Sequence, residues 1–86
     1  MRVIVSAFSS NKHVFSLYEQ DTIFTLRYLL SKRINIKEEC IRLVFNRQEL
    51  EDHHTLSYYT IQNNSRILLL FLLPGEIKTE LKFASP

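Results

Sequence analysis

The sequence predicts an α+β domain in which a mixed β-sheet is folded over one helix. Several segments alternate apolar with polar side chains, which is the pattern of strands with one buried face. One segment, residues 21–34, instead repeats its apolar side chains every three or four positions, as an amphipathic helix does. A chain of 86 residues has room for one modest core. One helix and few strands imply that the helix covers one face of the sheet.

The first two strands are expected to form a hairpin. Residues 2–8 alternate in polarity, and residues 13–18 alternate again with Phe15 and Leu17 on one side. The short polar stretch between them, residues 9–12, has the composition of a turn.

The helix has recognisable ends. Asp21 or Thr22 can accept hydrogen bonds from the first free amides of a helix. Asn35 follows the last turn, and asparagine tolerates the left-handed conformation that closes a helix where glycine is absent. The apolar stripe that we expect to face the sheet consists of Ile23, Leu26, Leu30 and Ile34.

The second half of the chain predicts three more strands. Residues 41–45 alternate, with Leu43 and Phe45 inward, and Asn46 begins a turn into a short strand at residues 48–50. After a charged loop, residues 55–59 have the pattern of one helical turn, and residues 66–73 form the last strand.

The last strand is apolar throughout, although a strand covered on one face should alternate. The side chains expected to face the helix are Ile67, Leu69 and Phe71. The side chains expected to point outward are Leu68, Leu70 and Leu72.

An apolar surface is therefore expected on the uncovered face of the sheet. We call it the docking patch, and its members are Phe8, Val44, Leu68 and Leu70. Its expected polar rim consists of Arg42, Arg47 and Gln48. A contiguous apolar patch with a polar rim is typical of a protein-binding site. The alternative is that the tail, residues 76–83, folds back over the patch with Ile77, Leu81 and Phe83.

Composition argues against several other functions. The 11 basic and 9 acidic residues are spread along the chain, so the net charge of +2 does not form the stripe expected of a nucleic-acid-binding protein. Arg27, Lys32 and Arg33 make only a modest basic helix face. The apolar run is far shorter than the ~20 residues of a membrane span. With one cysteine and no leader-like opening, we expect the cytoplasm or the nucleus.

Catalytic and metal sites are not expected either. Cys40 with His53 or His54 would need a cleft and an oxyanion donor to act as a nucleophile, and a small domain offers little room for either. Adjacent histidines in an extended chain point apart, and no established metal-binding spacing is present. Glu51 and Asp52 are expected to solvate or cap their loop. We therefore expect no catalytic residue, no metal and no cofactor.

Three motifs resemble the ubiquitin family: "DTI" at 21–23, "RLVF" at 42–45 and "LEDHHTLSYYTIQ" at 50–62. The similarity runs from Met1 to about Gly75. It implies a β-grasp fold, with the first and last strands adjacent and parallel at the centre of the sheet. It also identifies Tyr59 as similar to a family tyrosine whose hydroxyl holds the preceding loop.

The resemblance implies the same docking patch, because the main recognition residues of the family map onto it. Leu68 stands where ubiquitin has a histidine, so partners that hydrogen-bond that ring would lose a contact. A second, smaller patch maps onto Phe8, Ile36, Phe71 and Leu73.

The family comparison also predicts that the chain is not conjugated to other proteins. Conjugation requires a flexible Gly-Gly end, whereas here Pro74 precedes the single Gly75 and the chain continues. The positions of ubiquitin's seven lysines hold Ser6, Asn11, Arg27, Leu29, Arg33, Gln48 and Asn63.

These observations predict a ubiquitin-like domain over residues 1–74, followed by a tail or linker over residues 75–86. We expect a non-enzymatic interaction module of the ubiquitin–proteasome system. Its expected partners are ubiquitin-binding helices or domains, proteasome receptors or a domain of the parent protein, and not nucleic acid or membrane. The alternatives are homodimerisation or intramolecular packing through the same patch, and a modifier processed after Gly75.

Overall fold

A computed structural model describes residues 1–7 and 11–72 of the chain. The strands are β1 (Arg2–Ser6), β2 (Lys12–Ser16), β3 (Ile41–Phe45), β4 (Gln48–Glu49) and β5 (Ser65–Phe71). The helix α1 spans Ile23–Ile34, and two short 3₁₀ turns span Glu38–Cys40 and Ser57–Tyr59. The predicted tail, residues 75–86, lies outside the described residues, as does the predicted strand end at Leu73.

The five strands form one mixed sheet in the order β2-β1-β5-β3-β4. β1 pairs antiparallel with β2, which confirms the hairpin. β1 pairs parallel with β5, and β5 pairs antiparallel with β3. The first and last strands are thus adjacent at the centre of the sheet, and the helix crosses one face, so the predicted β-grasp fold is confirmed.

Capping residues define both the start and the end of α1. The Thr25 amide donates to Thr22 Oγ1 at 3.2 Å, so Thr22 and not Asp21 caps the start. Asp21 Oδ2 accepts instead from the Tyr18 amide. Asn35 is left-handed, at φ 59° and ψ 46°, and its amide donates to the Ser31 carbonyl, which confirms the predicted end of the helix.

The core lies between α1 and the sheet. The helix contributes Ile23, Leu26 and Leu30, which are all fully buried, and Ile34 packs at the edge of the core. The sheet and loops contribute Val3, Val5, Phe15, Leu17, Ile41, Leu43, Leu50, Leu56, Ile61, Ile67 and Leu69. The alternation in the strands and the three- or four-residue spacing in the helix therefore identify the inward faces correctly over most of the described chain.

Sharp turns are made without glycine among the described residues. Asn46 and Arg47 both have positive φ, at 54° and 67°, as a two-residue hairpin between β3 and β4 requires. Asn64 and Thr60 also have positive φ, at 68° and 60°. Asparagine tolerates this region, but a β-branched threonine is an outlier there.

Two expectations at the end of β5 need correction. Leu72, expected to point outward, is 8% exposed. Its amide donates to the Cys40 carbonyl just beyond the last residue of the strand, where strand alternation no longer sets the side. Phe71 lies across from the buried Ile41, as expected for the helix side, but its side chain is 46% exposed.

No helix in the part of the chain that the structure describes is long and apolar enough to cross a membrane.

Candidate docking surface

The described members of the docking patch lie on the sheet face that turns away from α1. Val44 and Leu68 are direct register partners on β3 and β5. Side chains at such positions have Cβ atoms about 4.5–5.5 Å apart, so the two make one apolar surface. Leu70 follows on the same face of β5, across from Arg42. The fourth predicted member, Phe8, lies outside the described residues.

Strand alternation explains why these residues are outside the core. Leu43, Ile67 and Leu69 are buried against the helix, so their neighbours Val44, Leu68 and Leu70 must face the other way. All three outward residues are only partly buried. Apolar surface therefore remains available on this face.

A second apolar pair lies on the same sheet face, on the hairpin, and Ser6 and Arg66 lie between it and Leu68. Ile4 and Val14 are register partners on β1 and β2, and both face outward because Val3 and Phe15 face the core. Val14 is among the exposed large apolar residues. The patch predicted from the sequence did not include these two residues. The alternation that places Val3 in the core also indicates that its neighbour Ile4 points outward.

Arg42 lies beside the patch and is held in place. Its Nε is 3.2 Å from Glu49 Oε2. Its guanidinium also donates to the Glu39 and Ile41 carbonyls at 3.1 Å each. The cation is thus fixed next to Leu70.

The other rim residues differ in position. Arg47 is exposed at the tip of the β3–β4 turn. Gln48 is exposed but lies across from Phe45, whose side chain packs against the core, so it shares the face of Phe45 and not that of Val44. Gln48 is therefore at the edge of the sheet and not directly in the patch.

Basic side chains dominate the outward face. Among the described strand residues, this face carries Arg2, Lys12, Arg42 and Arg66 against the one acidic residue Glu49. Glu49 is already paired with Arg42. The surface is therefore electrostatically complementary to an acidic partner.

The second predicted patch is only partly described. Ile36 is half-buried and packs against the core, while Phe71 is exposed at the end of β5. Phe8 and Leu73 lie outside the described residues.

The basic helix face expected from the sequence needs correction. The Arg27 side chain is 15% exposed, and its Nε and Nη2 donate to Asp52 Oδ1 and Oδ2 at 2.8 Å each. Its remaining nitrogen donates to the Glu38 and Ile41 carbonyls. Arg27 therefore links the helix to the segments that carry Glu38 and Asp52, and is not part of a solvated surface.

Cys40 is buried at the end of the first 3₁₀ turn, immediately before β3. Within residues 1–7 and 11–72, no hydrogen bond joins its thiol to His53 or His54. The arrangement lacks the base contact that activates a nucleophilic cysteine.

Tyr59 has the contact that the sequence resemblance implied. Its hydroxyl accepts a hydrogen bond from the Glu51 amide at 2.8 Å, which ties the residue-51 loop to the 3₁₀ turn that carries the tyrosine.

Comparisons with known proteins agree with this fold. A family model described as "Ubiquitin family" matches residues 3–73. The chain is also 29% identical over 70 residues to Ubiquitin-like protein 4A of Xenopus laevis. That alignment covers 81% of this chain but 47% of the relative, so the chain spans about half the length of the curated protein that it matches. Since the family model covers most of the chain and the sheet has the matching topology, this protein belongs to the ubiquitin family.

Proposed function

We propose that this ubiquitin-like domain is a non-enzymatic, non-conjugated module that binds an amphipathic helix of a partner protein through the docking patch. The observation that carries the proposal is the pairing of Val44 with Leu68 on the uncovered sheet face, with Leu70 beside them and basic residues around them. An apolar centre with a charged rim is the usual anatomy of a protein-binding surface.

The occupant that fits this surface best is a helix with an apolar stripe and acidic flanks. Such a helix presents anchors at positions i, i+3 and i+4 to a shallow apolar surface. Arg42 and Arg66 flank the apolar residues and would face its carboxylates.

Binding through this patch alone should be weak. A few hundred Å² of apolar surface gives roughly 10 kcal/mol of gross transfer energy at about 25 cal/mol per Å². Association costs about 4–15 kcal/mol, so a micromolar or weaker affinity remains. Tight binding would need a second contact on the same partner.

The partner classes that we propose are ubiquitin-binding helices or domains, proteasome receptors and a domain of the parent protein. The corresponding location is the cytoplasm or the nucleus. Family membership and the basic, apolar sheet face support the proposed partner classes.

A titration with a helical peptide tests the proposal. The ¹⁵N-labelled domain is titrated with a ubiquitin-interacting helix that carries acidic flanks, and amide shifts are mapped. We expect shifts at Val44, Leu68 and Leu70 and little change on α1. Val44→Ala and Leu70→Ala should each weaken binding at least about tenfold, which corresponds to 1.4 kcal/mol.

Leu29→Ala is the matched control, because Leu29 is a surface leucine on α1 and far from this face in the fold. If Leu29→Ala weakens binding as much as Val44→Ala, or if the shifts map to α1, the docking patch is not the binding surface.

Conjugation is tested separately with an activating enzyme and ATP. We expect no thioester with this chain, whereas ubiquitin forms one in the same assay. A thioester that requires Gly75 would contradict the non-conjugated part of the proposal and leave the docking part intact.

Homodimerisation through the same patch is the alternative. It would place the basic residues Arg42 and Arg66 of two copies near each other, and like charges across an interface are unfavourable. We therefore expect sedimentation at increasing concentration to show a monomer.

A further inference from the structure

We propose that Glu51, His53 and His54 bind one divalent ion of a late first-row transition metal, Zn²⁺ or Cu²⁺. Each of the three offers one ligand atom, and these atoms lie within 4.8 Å of one another. None of the three residues belongs to the docking patch, and no step of the proposed function requires them.

The two histidines converge, contrary to the expectation that adjacent rings would point apart. Their ring centroids are 3.9 Å apart, with the planes tilted by 42°. Residues 52–54 form a turn and not an extended strand, so the two side chains no longer alternate between opposite sides. The Nδ1 atom of His53 is also 4.0 Å from Glu51 Oε1.

The backbone of this loop is fixed on both sides of the turn. The Ile23 amide donates to the His54 carbonyl at 2.9 Å, and the Phe24 amide donates to the Asp52 carbonyl at 3.1 Å. The Glu51 amide donates to the Tyr59 hydroxyl. The first turn of the helix and the 3₁₀ turn thus hold the three ligand-bearing residues in place before any ion binds, which reduces the entropic cost of binding.

The His54 ring is held as well. It stacks on the Tyr58 ring with centroids 3.7 Å apart and planes within 3° of parallel. Tyr59 contacts it edge-on, with a centroid distance of 5.7 Å. In established metal sites a hydrogen bond orients the histidine ring; here the contacts with two tyrosine rings restrict the orientation of His54.

The side chains of the other two ligands, His53 and Glu51, can rotate to coordinate an ion. The side chains of His53 and Glu51 are 69% and 67% exposed. With bonds of about 2.1 Å, tetrahedral ligand atoms lie about 3.4 Å apart, so a modest rotation of these two side chains brings the atoms from their present spacing into range. Water completes the coordination.

The donor set selects the class of ion. Two imidazoles and one carboxylate suit Zn²⁺ and Cu²⁺, whereas Ca²⁺ and Mg²⁺ prefer all-oxygen sites. Asp52, the acid between them in the sequence, is not available because both of its oxygens bind Arg27. Three ligands in an exposed loop give a weaker site than a four-ligand structural zinc centre.

Isothermal titration of the whole 86-residue chain with Zn²⁺ tests the proposal. We expect saturable binding of one ion per chain. His53→Ala and Glu51→Gln should each weaken it at least about tenfold, and both variants should fold because these side chains are exposed. His13→Gln is the control, since His13 lies on β2 outside the cluster, and it should bind as the parent chain does.

A second measurement identifies the ligands directly. With Cu²⁺ as the probe, electron paramagnetic resonance should show coupling to two imidazole nitrogens, and to one in His53→Ala. Zn²⁺ binding that is non-saturable, or that survives in the double variant His53→Ala with Glu51→Gln, would overturn the proposal. Binding of one ion per two chains with dimer formation would also overturn it, because three ligands of one chain would not then make the site. None of these outcomes bears on the docking patch, whose test uses a peptide and no metal.

Discussion

Thr60 has a left-handed backbone, at φ 60° and ψ 32°, immediately after the second 3₁₀ turn. Its amide donates to the Ser57 carbonyl, so the conformation closes that turn. A β-branched residue in this region carries strain of order 1–3 kcal/mol. The hydrogen bonds of the turn and the burial of the next residue, Ile61, hold the backbone in this conformation, which a β-branched side chain disfavours.

Thr60→Asn should raise the free energy of unfolding by about 1 kcal/mol, because asparagine tolerates the left-handed region. Urea unfolding followed by circular dichroism measures the change. Thr60→Ala is the control: alanine removes the β-branch but still disfavours positive φ, so it should gain less. An equal gain from both variants would mean that left-handed strain is not the cause.

Arg27 makes four hydrogen bonds from one guanidinium, two to Asp52 and two to backbone carbonyls. Lysine keeps the charge but cannot reproduce this planar, forked pattern. Arg27→Lys should therefore lower the free energy of unfolding by about 1–3 kcal/mol in urea titration. Arg66→Lys changes the same residue type at an exposed strand position and should stay within about 0.5 kcal/mol. Similar losses from both would show that the bridge contributes little.

At the level of secondary structure, the sequence contains most of what is needed to assign strands and helix. Alternation separates the two faces of β1 and β2 and identifies the inward residues of β3, and the capping preferences of Thr22 and Asn35 bound the helix. The pattern fails where an element ends: Leu72 lies just past β5 and is buried, with its amide bonded to the Cys40 carbonyl. The spacing of apolar residues reflects a regular backbone, so it cannot predict which way a side chain points beyond the last residue of a strand or helix.

The candidate sites differ in how far the sequence could predict them. The outward position of Val44 follows from alternation in β3, and those of Leu68 and Leu70 follow from the period of two in a strand whose Ile67 and Leu69 face the helix. The convergence of His53 and His54 does not, because it depends on a turn whose shape is set by hydrogen bonds to the distant residues Ile23, Phe24 and Tyr59. The burial of Arg27 is likewise set by long-range partners.

The loop that carries these histidines is joined to the second 3₁₀ turn by the Tyr59 hydroxyl. Tyr59→Phe removes that acceptor and should cost about 0.5–1.5 kcal/mol of unfolding free energy. It should also speed hydrogen exchange at the Glu51 amide, as measured by NMR. Tyr58→Phe is the control, because its ring stacks on His54 while no hydrogen bond of the described residues uses its hydroxyl. Unchanged exchange at Glu51 in Tyr59→Phe would contradict the proposed role.

At the scale of the whole molecule, the charges matter through their arrangement more than their sum. The chain carries a formal charge of only +2, yet its uncovered sheet face is basic around an apolar centre. A field of this kind steers an oppositely charged partner to one face and mainly raises the association rate.

This arrangement predicts that the position of a charge change decides its effect on helix docking. Arg66→Glu and Lys32→Glu alter the net charge equally, but Arg66 is on β5 beside the docking patch and Lys32 is in the last turn of α1. In stopped-flow binding of an acidic helical peptide at low salt, Arg66→Glu should slow association several-fold and Lys32→Glu much less. At about 1 M salt, where the screening length falls to about 3 Å, the difference should largely disappear. Equal slowing by both variants would show that net charge, and not the face of the sheet, governs association.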